Sequence, residues 1–351
     1  MGRWVSAPLA ACLLALAAAG CTGRAVSASV QSPAGSAAPA RTSPAASTAS
    51  PNPSASAAPA TGAPAIPGRP LPAGTAAKLP AGAYYLLAGR TLGSLNVWEV
   101  VPGRAVTQLT HNPPGHGIDA LAASAAGIIV ANAADGTDRL ARWTGHGLSW
   151  LRHHHQGPII QGSSPDISGN GTIGYVTPPT ESGAHRVTDF SIWTQPSFTS
   201  RAAVVYRQRR PLDGPVFGPH GQIAIEGWTG PQGGRRPSVL IYRDGQVTTL
   251  STGVAAIPSL LAWGHHAPAL AVAFPAHRAE LLYPDAGRKP LPRGWQPLAW
   301  NPSGTQLLMQ SATALGVWSA AAPGRGVRTV GLITPGMQIL QAVWLAHKAP
   351  M

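Results

Sequence analysis

The stretch Asp166-Ile167-Ser168-Gly169-Asn170-Gly171 places side-chain oxygens at alternate positions and a glycine at the sixth, the opening of a calcium loop. Such a loop takes its bidentate carboxylate at the twelfth position, which here is Thr177, so the strongest ligand is missing. Turn chemistry accounts for the same residues, with Asp166 capping a turn and Asn170-Gly171 closing a tight hairpin. Twelve histidines include the run His153-His154-His155 and the pair His265-His266. Neighbours on a strand point to opposite faces and cannot easily chelate one ion, and no metal-ligand spacing recurs, so these read as solvated loop histidines. The expectation is no metal and no cofactor.

Nucleophilic chemistry fares no better. No Gly-x-Ser-x-Gly elbow occurs in the chain. An acid and a base brought together by folding remain open, and Asp119, His116, Asp166 and His220 are the candidates for such a pair. No residue is assigned a catalytic role at this point, and the ligand-binding residues stay unknown. The basic clusters Arg207-Gln208-Arg209-Arg210, Arg235-Arg236 and Arg288-Lys289 fall in predicted connections between strands. In an exported chain they face solvent or an anionic envelope component rather than nucleic acid.

Export is written at the N-terminus, MGRWVSAPLAACLLALAAAGC. Arg3 supplies the positive flank, and Val5 to Ala19 form an apolar core shorter than the roughly 20 residues a spanning helix needs. The opening M-G-x-x-x-S also fits a myristoylation pattern, but the export segment directly behind it argues against that use. Cys12 and Cys21 are the only cysteines, so no disulfide staples the remainder. The segment Ala18-Ala19-Gly20-Cys21 resembles the lipobox of bacterial lipoproteins, with Ala18 where that family usually has Leu. The resemblance implies cleavage after residue 20 and a diacyl anchor on Cys21, since two acyl chains hold to a membrane where one does so marginally. It places the protein on the outer face of the cell membrane.

Residues 21–80 are Ser, Ala, Pro, Thr and Gly with almost nothing to bury, which predicts a disordered tether. A flexible chain of that length reaches about 40 Å. The high Arg-to-Lys ratio, 22 to 3, reads as high-GC coding, and with the Ala/Pro tether suggests an actinobacterial type of source.

From Ala81 the composition changes and a repeat begins. LAWNPSG (298–304), LAWGHHA (261–267), PVFGPHG (215–221) and SPDISGNG (164–171) each pair an apolar entry with a turn and are followed by an apolar strand; ALAASAAGIIVA (120–131) is a weaker member. Their anchors Ala123, Ile167, Phe217, Trp263 and Trp300 are spaced 44, 50, 46 and 37 residues apart. A second motif, a short strand with an aromatic and then a Gly- or Pro-rich turn, occurs six times, at Trp98, Trp143, Trp193, Tyr242, Tyr283 and Trp318. This regularity marks the aromatics as core packing rather than a stacking platform for ligand.

Short strands repeating every 35 to 50 residues without helical pattern predict an all-β propeller of six four-stranded blades over residues 81–351. Five first halves face six second halves, and QAVWLAHKAP (341–350), with Trp344 a further 44 residues on, supplies the missing one. The first blade is therefore closed by the C-terminal strand. The repeat resembles the TolB-like and WD40-like propellers, Asn301-Pro302-Ser303-Gly304 most closely and Pro165-Asp166 and Gly218-Pro219-His220-Gly221 more loosely. That resemblance implies architecture and leaves function open. The Asp-box of sialidase-like propellers is not matched, because Ser164 to Tyr175 lacks its spacing.

The expectation is a lipid-anchored, non-catalytic binding module of the envelope, attached to the membrane and engaging an envelope protein or an anionic component. The alternatives are an envelope hydrolase or lyase at the channel mouth, or an accessory to a membrane sensor kinase.

Overall fold

The structure is a computed structural model. It describes residues 69–350 apart from 73, 113–116, 133–137, 155–156, 179–180, 183–184, 187–188, 230–235, 251–255, 257, 276–277 and 285–286. Cys21, the export segment and the stretch up to residue 68 lie outside the described residues, as do His116, His155 and Arg235.

Apolar and β-branched runs cut by Gly- and Pro-rich turns give an antiparallel meander. Blade 1 carries β1 (Ala83–Gly89), β2 (Asn96–Val100) and β3 (Thr107–Gln108). Blade 2 is β4 (Ile118–Ser124), β5 (Gly127–Asn132), β6 (Arg139–Trp143) and β7 (Leu148–Trp150). Blade 3 is β8 (Ser163–Ile167), β9 (Ile173–Thr177), β12 (Phe190–Gln195) and β13 (Ala203–Gln208), with a hairpin of β10 (Glu181–Ser182) and β11 (His185–Arg186) inserted. Blade 4 is β14 (Leu212–Phe217), β15 (Ile223–Thr229), β16 (Arg236–Arg243) and β17 (Gln246–Leu250). Blade 5 is β18 (Leu260–Ala262), β19 (Leu270–Phe274), β20 (Arg278–Tyr283) and β21 (Gly287–Pro290). Blade 6 is β22 (Gln296–Trp300), β23 (Gln306–Gln310), β24 (Ala314–Ser319) and β25 (Val327–Leu332). The last strand, β26 (Gln338–Leu345), returns to blade 1 and pairs with β1, Tyr84 opposite Trp344.

The first strands of successive blades touch in order, β4 to β8, β14, β18, β22, β26 and back to β4, so the ring is closed. Closure is reinforced beyond the strand ladder. Gln341 Oε1 accepts the Leu121 N–H at 2.7 Å, joining blades 1 and 2. Lys348 Nζ lies 2.9 Å from Glu99 Oε2, and the Tyr85 hydroxyl donates to Glu99 Oε1 at 3.1 Å while accepting the Ala349 N–H at 2.8 Å. A carboxylate as buried as Glu99, 6% exposed, is tolerated because two partners satisfy it. The chain ahead of β1 joins the same packing: Leu71, Ala76 and Leu79 are buried with Trp98, Trp344 and Met337, so the core includes residues before Ala81.

The repeated aromatics occupy equivalent places. Trp98, Trp143, Trp193, Tyr242, Tyr283 and Trp318 all lie on the third strand of their blade and belong to its hydrophobic cluster. The anchors of the first motif pack one blade onto the last. A Cβ at Gly218 would fall 2.4 Å from the Trp263 ring, and one at Gly264 would fall 3.1 Å from Trp300 Cβ, so the glycines before each turn make room for the next blade's indole.

Three local expectations change. Pro165 and Asp166 lie within β8, and the turn itself is Ser168 to Gly171, where Ser168 Oγ accepts the Thr172 N–H at 2.9 Å. The basic clusters are divided between strands and connections: Arg207 lies on β13 and Arg288 and Lys289 on β21, both outermost strands, Arg236 opens β16, and Arg209 and Arg210 fall in the connection from β13 to β14. An exposed last strand studded with charge resists pairing with another sheet. His153 is not a free loop histidine either: it packs 5.0 Å from the Trp193 ring and 3.3 Å from the Tyr175 hydroxyl, and burial lowers its pKa.

Candidate functional site

The six inner strands β4, β8, β14, β18, β22 and β26 line the central channel, and most of them are irregular. Bulges interrupt β4 between Ile118 and Ala120, β8 between Ser163 and Asp166, β14 between Asp213 and Val216, β22 between Pro297 and Ala299, and the β26 pairing opposite Leu87 and Ala88. A bulge turns a side chain out of the alternation, and such bulges are common beside functional sites. In blades 2 and 3 the bulge holds a polar residue, Asp119 and Ser164, whereas in blade 4 it is Gly214-Pro215 and the polar residue, Asp213, comes immediately before it. Ser164 takes a left-handed backbone, φ 49°, unusual for a residue with a side chain.

Around these three a group of carboxyls assembles. Asp119 and Asp138 share a hydrogen bond. Ser164 Oγ donates to Asp213 Oδ1, which also accepts the Gly214 N–H at 2.7 Å. Glu226 on β15 is the cross-strand partner of Asp213. Asp119 is exposed to solvent, yet protein encloses it on enough sides that desolvation, reinforced by Asp138, raises its pKa to about 6. Burial raises Asp138, and the Asp213 charge adds to that while the bond from Asp119 opposes it. Burial also raises Asp213, against the hydrogen bonds from Ser164 and Gly214, and holds Glu226 well above the usual range with Asp213 adding to the effect. Asn132 lies beside the pair, its backbone in register with Ile118 and Arg139; it is 7% exposed and its Oδ1 has no hydrogen-bond partner.

Asp166 does something else. Its Oδ2 accepts the Phe217 N–H at 2.6 Å and its carboxyl also accepts the Ile167 N–H, so it ties β8 to β14; burial raises its pKa to about 6 against those two bonds. It therefore joins two blades instead of capping the turn that follows it. His220 stands on the turn after β14, at the far end of an inner strand from Asp213, so Asp119 and His220 do not meet. Among the described residues no group of three or more His, Cys, Asp or Glu is placed to hold a metal ion.

Sequence reasoning reached Asp119 and Asp166 but missed Asp138, Asp213, Glu226 and Ser164. Asp213 and Glu226 had one usable signal, since each interrupts an apolar run with a charge, in PLDGPVF and IAIEGW. Ser164 had none, because a left-handed serine cannot be read from its neighbours.

No protein-family model and no curated protein matches the chain. Solved structures do resemble it. A chain of the nidogen/laminin complex superposes with a TM-score of 0.53 at 16% identity, covering 76% of this chain and 100% of that one. A TolB-type protein of Agrobacterium tumefaciens gives 0.47 at 12% identity over 72% and 89%, and a gluconolactonase of Xanthomonas campestris 0.46 at 14% over 63% and 77%. Identities this low speak of fold alone.

Proposed function

We propose that the protein is an exported propeller, anchored by a diacyl group on Cys21 and held off the membrane by its Ser/Ala/Pro tether, that serves as a binding module of the cell envelope. Its binding surface is the acidic end of the channel, and the group it takes is cationic. The observation that carries this reading is the convergence of Asp119 and Asp138 from blade 2 with Asp213 and Glu226 from blade 4, in a region that from Ala81 onward has 20 basic and 12 acidic residues. Carboxyls crowded together repel as anions, and an ammonium or guanidinium group among them relieves that repulsion. Bound cation favours the ionised carboxyls, so affinity rises with pH through about 6, the value of Asp119.

Two measurements test the two halves. Fractionation should find wild-type protein with the membrane and Cys21→Ala in the soluble fraction; a Cys21→Ala protein that stays attached removes the anchor. Titration with trilysine should give saturable binding that is tighter at pH 7.5 than at pH 5 and is lost in Asp119→Asn/Asp138→Asn, whereas binding indifferent to both changes removes the acidic surface.

One observation favours a second reading. Two hydrogen-bonded carboxyls, one raised to about 6, are also how a general acid and base are arranged. A hydrolase or lyase at this mouth would return its captured ligand cleaved, and mass spectrometry of that ligand separates the readings.

A further inference from the structure

The opposite end of the same inner strands carries a second, chemically inverse feature. A cleft of about 540 Å³ opens between the turns of blades 4 and 5, within the size range of small-molecule sites. Blade 4 contributes His220, Gln222 and Arg243; blade 5 contributes Trp263, His265 and His266. Among the described residues no carboxylate lines it. The cleft's arginine pairs with Asp244, 3.5 Å from Arg243 Nε with its side chain 87% exposed, a surface pair that holds the guanidinium weakly.

The histidines are held in place. A Cβ at Gly304, on the blade 6 turn, would fall 2.1 Å from the His266 main-chain oxygen, so that turn lies flush against the His265-His266 backbone. A Cβ at Gly169, on the blade 3 turn, would fall 3.3 Å from Cγ of the His265 ring, so the imidazole is braced from the other side. The two rings sit edge to face with centroids 4.8 Å apart. His220 adopts φ 56°, ψ 30°, a left-handed conformation that costs a residue with a side chain and is concentrated at ligand-binding positions. Trp263, 8% exposed, forms the cleft's wall and has an indole N–H without an acceptor. Three imidazoles, a guanidinium and a carboxamide around one concavity, with no carboxylate among them, present hydrogen-bond donors to a single occupant.

We propose that this cleft is an oxyanion-binding site, with Arg243 as the bidentate contact and His220, His265 and His266 as the surrounding donors, taking a phosphate or a carboxylate borne on a small or polymeric ligand. It stands independently of the acidic end. The test is a titration of the full-length protein, carrying ring-labelled histidine, with inorganic phosphate and separately with trigalacturonate, followed by magnetic resonance of the imidazoles. The expected result is saturable movement of the His220, His265 and His266 signals with at least one probe, the probe that binds more tightly identifying phosphate or carboxylate as the recognised group. Arg243→Ala should weaken that binding tenfold or more without changing the melting temperature, because the side chain is exposed, and Asp119→Asn should leave it unchanged. The proposal is overturned if neither probe saturates, or if Arg243→Ala binds as wild type does.

Discussion

The two ends of the channel are made from the same six strands and have opposite chemistry. Where the inner strands begin, bulges fall at Asp119 and Ser164 and just after Asp213, and burial, with neighbouring carboxyl charge adding to it, disfavours ionisation of the carboxyls that gather there. Where those strands end, the turns of blades 4 and 5 carry His220, His265 and His266 with Arg243 and, among the described residues, no lining carboxylate. One end is shaped by departures from strand geometry and the other by glycines that let turns pack against each other. The difference shows how a repeat fold, uniform in its core, acquires asymmetry at positions the core does not constrain.

The contrast requires a closed ring, so breaking the ring removes both ends together. Deletion of residues 338–351 removes β26 and the Tyr85-Glu99-Lys348 contacts, and cooperative thermal unfolding, followed by circular dichroism, should disappear. An unchanged transition would show that β26 is not the closing strand. Lys348→Ala is a milder version of the same break. It leaves the Glu99 carboxylate with the Tyr85 hydroxyl alone, and since Lys348 is itself partly exposed the loss in chemical denaturation should be about 1–2 kcal/mol, below that of a fully buried pair.

The next break acts on one end only. Gly304→Ala introduces a Cβ against the His266 main-chain oxygen at a position with φ 69°, and should cost on the order of 2 kcal/mol while displacing the His265-His266 turn. Trilysine binding at the acidic end should survive it, which separates the two ends in one variant.

The smallest effect sharpens the acidic end. A carboxyl with a raised pKa binds more protons folded than unfolded, so stability falls as pH rises from about 4 to about 6, the interval between the ordinary value and that of Asp119. Asp119→Asn should match wild type near pH 4 and exceed it at pH 7, as read from melting temperature. An Asn variant less stable at pH 7 would mean that the ionised carboxylate is held by a favourable partner.

The architecture was legible because its signals are local and repeat. Trp98 through Trp318 recur on the third strand, the spacing of the anchors gives the blade count, and the surplus of second halves points to Trp344 as the closing anchor. The acidic end was half legible. Asp119 is conspicuous, but Asp138 reaches it only through the pairing of blade 2, and Asp213 with Glu226 comes near Asp138 only because blade 4 converges on blade 2, which no spacing within the chain encodes. Asp166 misled for a related reason. Its sequence neighbours, Ser168 to Gly171, suggest a loop ligand or cap, whereas its partner in space is the Phe217 N–H on the next blade. The histidine pair was legible as residues but not as a site, because the bracing glycines, Gly169 and Gly304, lie on other blades.

The central claim is that the acidic end is where a partner is held. Crosslinking in intact cells with tagged wild type, Asp119→Asn/Asp138→Asn and Arg243→Ala tests it most directly. The account predicts one dominant captured protein with wild type and with Arg243→Ala, and loss of that capture in the Asp119→Asn/Asp138→Asn variant. Capture of the same protein at wild-type yield by that variant would contradict it.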